Sequence, residues 1–210
     1  MRPQGRIRDI DIRQKLRDEL VEGHRRDPEP TILVDEFGVC SGSARVDIVV
    51  INGTMSGYEI KSESDTLDRL APQTELYSRI LDYVTLVASP NHIPKAASYL
   101  PKWWGLIEAR VNGPRLSLQV LRKPKLNPRP DAYSIAQLLW KDEVAEILRE
   151  RSVAPQKART RRQLWQLLVE TLSLRELQTE VRRVLRRRQG WRSAAIRLSG
   201  DVSCQPSAKS

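Results

Sequence analysis

The chain is short of the residue types that most often announce chemistry. Its 210 residues include two cysteines and two histidines. Cys40 and Cys204 lie far apart, one beside a glycine-serine stretch and one in a polar tail, so a disulfide scaffold is not expected and both read as free thiols. His24 and His92 are too few for zinc sites built from several histidines or for histidine-metal nuclease motifs. No apolar run approaches the ~20 residues of a membrane span. The basic start, Met1 to Arg6, lacks the apolar segment of a secretory signal. The expectation is a soluble cytoplasmic protein with no membrane partner. Gly38 to Ser43 lacks the Gly-Lys-Ser/Thr ending of a phosphate-binding loop and reads as a turn.

Acidic residues are also outnumbered, 26 Asp+Glu against 36 Lys+Arg, for a formal charge of +10. That excess suits a polyanionic partner, most simply nucleic acid, although acidic lipids and acidic proteins satisfy the same charge.

Two apolar runs carry the chemistry. Asp47 interrupts Ala44–Ile51, and the next run ends in Tyr58-Glu59-Ile60-Lys61. Side chains alternate along a strand, so Glu59 and Lys61 share a face. Whether Asp47 joins them depends on the turn at Asn52-Gly53. A two-residue hairpin would pair Val46 with Glu59 and turn Asp47 away. A three-residue loop, Asn52 to Thr54, would pair Asp47 with Glu59, and a bulge near Gly57 would restore the shared face by another route. An irregular hairpin is therefore expected. An unpaired carboxylate in a buried strand costs several kcal/mol, and a cation is a natural compensator. Asp47 and Glu59 are hard oxygen ligands for Mg²⁺ or Mn²⁺, the Ile60 carbonyl can supply a third, and Lys61 can offset charge developing on a phosphate.

Asp47 with Glu59-Ile60-Lys61 resembles the motif of the PD-(D/E)xK nuclease superfamily, with Val46 standing where the motif often has proline. Pro72-Gln73-Thr74-Glu75-Leu76-Tyr77 resembles the Q-x-x-x-Y element of RecB-type members, and Gln73 and Tyr77, four apart, share a helical face. From about Arg8 to Glu108 the chain resembles a group of small bacterial proteins assigned to that superfamily. The resemblance implies an α/β fold, a restriction-endonuclease-like mixed sheet flanked by helices. It also implies a Mg²⁺- or Mn²⁺-dependent nuclease acting through Asp47, Glu59, Lys61, Gln73 and Tyr77.

The remaining elements follow from periodicity and breakers. Asp9 can cap a helix to about Gly23 whose Ile12, Leu16 and Leu20 face a core, with Asp11 and Glu19 as candidate extra acids. Thr31–Val34 begins a strand, and Glu36 at its end is a candidate further metal ligand. Asp65 suits a helix cap, and Tyr83–Ala88 a buried strand. Ile93 to Leu100 reads as a short helix. Trp104–Ala109 and Leu116–Leu121 read as strands joined through Asn112-Gly113-Pro114. Trp103 and Trp104 suit packing better than base stacking.

Residues 1–121 are thus read as the nuclease-like domain and 122–133, rich in proline and basic residues, as a linker or arm. Residues 134–192 read as a helical appendage: one helix from Ser134 bearing Ile135 to Leu148, a second around Leu164, and a third opened by Ser173 and Glu176. Arg161, Arg162, Arg182, Arg183, Arg186 and Arg187, with Lys157, Arg159 and Arg192 in the same region, are candidate phosphate contacts. An acidic protein partner is the alternative reading of that surface. Duplex cleavage would need two sites or two encounters, so a homodimer is compatible. The stretch from Ser193 reads as a disordered tail.

Overall fold

A computed structural model describes residues 7–112, 115–154, 160–189, 191 and 195–198. Gly113, Pro114, Lys157, Arg159, Arg192 and Cys204 lie outside the described residues, as do 199–210.

The fold is mixed α/β. Seven strands form one sheet in the order β6-β5-β4-β3-β2-β1-β7. They are β1 (Thr31–Val39), β2 (Ala44–Ile51), β3 (Met55–Lys61), β4 (Tyr83–Ala88), β5 (Gly105–Asn112), β6 (Arg115–Arg122) and β7 (Ala195–Leu198). β3, β4 and β5 run parallel and the other neighbours antiparallel. The helices are α1 (Asp9–His24), α2 (Leu70–Ser78), α3 (Ile93–Tyr99), α4 (Ala132–Ala136), α5 (Lys141–Glu150), α6 (Arg161–Thr171) and α7 (Leu174–Arg187).

Each face of the sheet is buried against helices, as strands with near-continuous apolar runs require. On one face Ile12, Leu16 and Leu20 of α1 pack on Leu33, Ile48, Val50, Ile60 and Val87. On the other, Tyr77 of α2 and the apolar stripes of α4 to α7 join Val34, Val49, Ile51, Val84 and Leu86 in one core.

Segment 122–133 is not a free arm. Asn127 donates from Nδ2 to the carbonyls of Ser78 and Leu81, Lys125 N–H bonds the Trp103 carbonyl, and Asp131 N–H bonds the Arg79 carbonyl. Nor do the helices beyond it stand apart. Buried Asp82, before β4, pairs with Arg182 of α7 at 2.9 Å and accepts from Gln178 at 3.1 Å. The boundary read at 122–133 is therefore bridged by a shared core and a buried ion pair.

Four local expectations are corrected. The helix read from Ser134 is two: Asp131 caps α4 by accepting from Ser134 N–H, and the chain breaks before α5 at Trp140. Asp9 is the first residue of α1 rather than its cap, which is Arg8. Asp65 accepts from Ser62 N–H and Oγ, both at 2.6 Å, and shapes the turn after β3 instead of capping a helix. In the stretch read as a disordered tail, Ala195–Leu198 pairs with Thr31–Val34 as an edge strand. Among the described residues, no helix is long and apolar enough to cross a membrane.

Candidate active site

The β2–β3 turn is the irregular one. Ile51 pairs with Met55 and Ile48 with Tyr58, so Asn52, Gly53 and Thr54 form a three-residue loop. Asn52 Oδ1 accepts from Thr54 N–H at 2.9 Å and closes it. Continued by one step, this register sets Asp47 opposite Glu59. Gly57 serves packing rather than a bulge: a Cβ there would lie 2.4 Å from Leu81 Cδ1.

At Asp47 the strands splay. The β1–β2 ladder pairs Asp35 with Ile48 and Phe37 with Val46, passing over the Glu36 and Asp47 level. Glu36 has a φ of 49°, in the left-handed region. Val34 and Phe37 then face the same core, as do Val46 and Val49, so both strands switch face together. The break frees Asp47 from the alternation. Its Oδ2 accepts from Ile60 N–H at 2.7 Å, replacing a ladder bond. Lys61 C=O bonds Ser89 N–H on the β4 side, so Ile60 C=O turns toward β2 and the splay.

Glu59, 2% exposed, is the hub. Oε1 accepts from Lys61 Nζ and Gln73 Nε2, each at 2.7 Å. Oε2 is 2.8 Å from Tyr77 Oη, which lies 2.5 Å from the Arg45 carbonyl. One phenolic proton cannot serve both acceptors fully, so Tyr77 divides its donation between Glu59 and the Arg45 carbonyl. Burial, then the charge of Asp47, push the Glu59 pKa up, against the pull of Lys61. Burial and the Glu59 charge also raise Tyr77.

All five sequence-predicted catalytic residues therefore meet around the splay. Glu36 reaches the group through Arg13, which the sequence reading passed over. Arg13 Nη2 is 2.7 Å from Asp47 Oδ1, Nη1 is 3.3 Å from Glu36 and Nε is 3.2 Å from Asp9. Burial opposes the Arg13 charge, but Asp47 and Asp9 hold its pKa above the ordinary value. The signal was present: Arg13 and Arg17 flank the buried stripe of α1 four apart, and Arg17 pairs with Asp35. Asp11 and Glu19 stay outside, paired with Arg8 and Lys15. Trp104 is fully buried, stacked on Tyr77 with ring centroids 6.2 Å apart, so it packs and does not meet a base.

Three of the six candidate phosphate arginines are engaged internally. Arg182 pairs with Asp82, Arg183 with Glu150 and Glu180, and Arg186 with Glu29. Arg161, Arg162 and Arg187 are exposed, with Arg161 over the Trp165 ring.

Among the described residues, no group of three or more His, Cys, Asp or Glu side chains is placed to hold a metal. A cation here would draw on the Asp47 and Glu59 carboxylates, the Ile60 carbonyl and water, whereas Glu36, the further ligand expected from the sequence, is not grouped with them and pairs with Arg13 at the rim. That donor set, few carboxylates and no nitrogen or sulfur, fits Mg²⁺ or Mn²⁺.

The family model for bacteriophage P4 protein cII matches residues 4–200. The chain belongs to the bacteriophage P4 protein cII family. A curated relative, protein cII of Enterobacteria phage P4, is 25% identical over 118 residues, covering 56% of this chain. The match spans 45% of that relative, so the chain accounts for less than half of its length. In the P4 cII-family chain, Asp47, Glu59 and Lys61 all fall inside the matched region. A solved structure of a protein of unknown function from Silicibacter pomeroyi shares 18% identity, with a TM-score of 0.37, over 62% of this chain and 83% of its own.

Proposed function

We propose that the protein is a divalent-metal-dependent nuclease of PD-(D/E)xK type that hydrolyses phosphodiester bonds of nucleic acid, DNA first among them, in the cytoplasm. The observation that supports this reading is the convergence of Asp47, Glu59, Lys61, Gln73 and Tyr77 at a strand splay. Neither chain alternation nor packing requires five polar groups there.

Mg²⁺ or Mn²⁺ held by Asp47, Glu59 and the Ile60 carbonyl would polarise the phosphoryl oxygen and acidify an attacking water. The chain's own groups do the rest. Water oxygen bonds phosphorus and gives up a proton to solvent, the ester P–O bond breaks, the leaving sugar oxygen takes a proton from solvent, and negative charge grows on the phosphoryl oxygens in between. Lys61 Nζ, now 2.7 Å from Glu59, is the cation available to meet that charge. Gln73 and Tyr77 fix the Glu59 rotamer from α2, so Lys61 can leave Glu59 without the carboxylate moving. Arg13 neutralises Asp47 until a cation takes its place.

The last contact supports a second reading, a noncatalytic nucleic-acid-binding protein on this fold. Asp47 and Glu59 are each already neutralised by an internal cation, Arg13 and Lys61. Cleavage assays separate the two. Single-stranded, duplex and branched DNA, and RNA, are incubated with Mg²⁺ or Mn²⁺ and the parent, Asp47→Ala or Lys61→Ala chain. Cutting by the parent alone is expected. Binding without cutting by the parent, or equal cutting by the variants, would leave the binding reading standing.

A further inference from the structure

The Glu59-x-Lys61 pair has a second copy on the same face of the sheet. Lys61 is in register with Ala88 on β4, and Ala88 with Glu108 on β5. Residues level in a ladder project to one face, so Glu108 shares the face of Lys61. Two residues on stands Arg110, so Glu108-Ala109-Arg110 lies two strands over from Glu59-Ile60-Lys61, on a strand of the same direction, and two residues further along, Glu59 itself being level with Leu86 and Leu106. Two strand spacings of about 4.8 Å and two residues of about 3.3 Å set Arg110 about 12 Å from Lys61. One strand of a B-form duplex rises about 3.4 Å per nucleotide, so that gap covers about three to four nucleotides.

The second pair differs from the first in one respect. Glu108 is 5% exposed, but the Arg110 side chain is 53% exposed. Arg110 is ion-paired with Glu108 through Nε and Oε2, and its Nη2 donates to Oε1 at 3.4 Å. A guanidinium has five N–H donors, so an exposed Arg110 keeps others open to solvent beside this pairing. The face continues as a polar surface onto β6, where Gln119 is opposite Glu108, Ser117 opposite Arg110, and Arg115 opposite Asn112. Gln119 and Arg115 are exposed. On the opposite face of the same strand, Leu116 and Leu118 pack against the cluster that α1 helps to build. β6 is thus apolar where a helix covers it and basic or hydrogen-bonding on the face that leads away from Lys61.

We infer that Arg110, anchored by Glu108 and continued by Ser117, Gln119 and Arg115, is a track for the phosphodiester backbone of a nucleic-acid strand whose scissile phosphate lies at Lys61. The location of the scissile phosphate rests on the nuclease reading; the track itself does not. Glu108 is a positioning residue and Arg110 the phosphate contact. This surface differs from the C-terminal arginines, half of which are spent on internal acids.

The test omits cleavage. Binding of a fluorescein-labelled single-stranded DNA of about 12 nucleotides is followed by anisotropy in EDTA across a salt series. The chains compared are the parent, Arg110→Gln, Arg115→Gln and, as a control, Arg149→Gln on the exposed side of α5. Each lost phosphate contact is expected to weaken binding several-fold and to lower the salt slope by about 0.7, with Arg149→Gln closer to the parent than either. Arg110→Lys keeps the charge and loses the fork, so it should fall between parent and Arg110→Gln. Thermal unfolding checks that Glu108 without its partner still folds; if it does not, Arg115→Gln and Arg110→Lys decide. Parent-like affinity and salt slope in those variants would overturn the track. Labelled poly-glutamate is titrated in parallel; its loss from the Arg110 and Arg115 variants with oligonucleotide binding intact would also overturn the track and point to an acidic protein. If the parent binds through Arg110 and never cuts in Mg²⁺, the track stands and the nuclease reading falls. If it cuts while Arg110→Gln binds as the parent does, the reverse holds.

Discussion

Asp27 shows how much one carboxylate can organise outside the site. Its Oδ2 is 2.7 Å from His24 Nδ1, 3.1 Å from Thr31 Oγ1 and 3.2 Å from Asn52 Nδ2, tying the end of α1 to the start of β1 and to the hairpin loop. The His24 bond, offset in part by burial and aided by Thr31, holds the Asp27 carboxyl below its ordinary 3.8. In the acid range the unfolded chain therefore binds this proton first. Stability from Asp27 is present above pH 3.8 and lost as pH falls through the lower folded value. Asp27→Asn should flatten that part of the acid limb in urea unfolding measured against pH, and an unchanged limb would refute the assignment. Tyr77→Phe tests the other end of the residue scale. It removes a buried hydroxyl that Glu59 and the Arg45 carbonyl share, and should cost about 1–3 kcal/mol in the same assay.

At the scale of elements, the hairpin and α2 explain why the site forms. The three-residue loop sets the register, the matched break in β1 and β2 frees Asp47, and α2 brings Gln73 and Tyr77 over Glu59. At Gly57 the space of a side chain is already taken by Leu81, with Val46 close beside it. Gly57→Val should cost about 1–3 kcal/mol by overpacking and disturb the β2–β3 pairing. Thermal unfolding and loss of cleavage would report it together, and a variant with parent stability would contradict the packing argument. Much of this was legible in the sequence, because Asp47 can join Glu59 only through an irregular turn and Gln73 and Tyr77 are four apart. The α4–α5 break was not, since Ile135, Leu138, Leu139 and Val144 continue one apolar periodicity across Trp140. Nor were the partners of the C-terminal arginines, because Asp82 and Glu29 lie 100 and 157 residues from Arg182 and Arg186. Local sequence cannot display an ion pair made by tertiary packing.

In the whole molecule, the C-terminal helices are part of the core that supports the site. Removal of everything after Pro130 would expose the α2-side face of the sheet and leave Asp82 buried without its cation. Such a chain should lose cooperative unfolding altogether, read by near-ultraviolet circular dichroism and calorimetry. A cooperatively folded truncation that lost only DNA affinity would restore the view of a separable appendage. Asp82→Ala is the finer test, with about 3–5 kcal/mol expected from stranding Arg182 and the Met55 N–H.

The claim on which the functional account turns is that Lys61 and the two carboxylates act on a phosphodiester. The most direct measurement is the single-turnover cleavage rate of labelled DNA at saturating Mn²⁺, parent beside Lys61→Ala, with binding measured in parallel. The account predicts cutting by the parent, a loss of about 10²–10³-fold in the variant, and nearly equal affinity. Equal rates, or DNA bound by the parent and left intact, would contradict it.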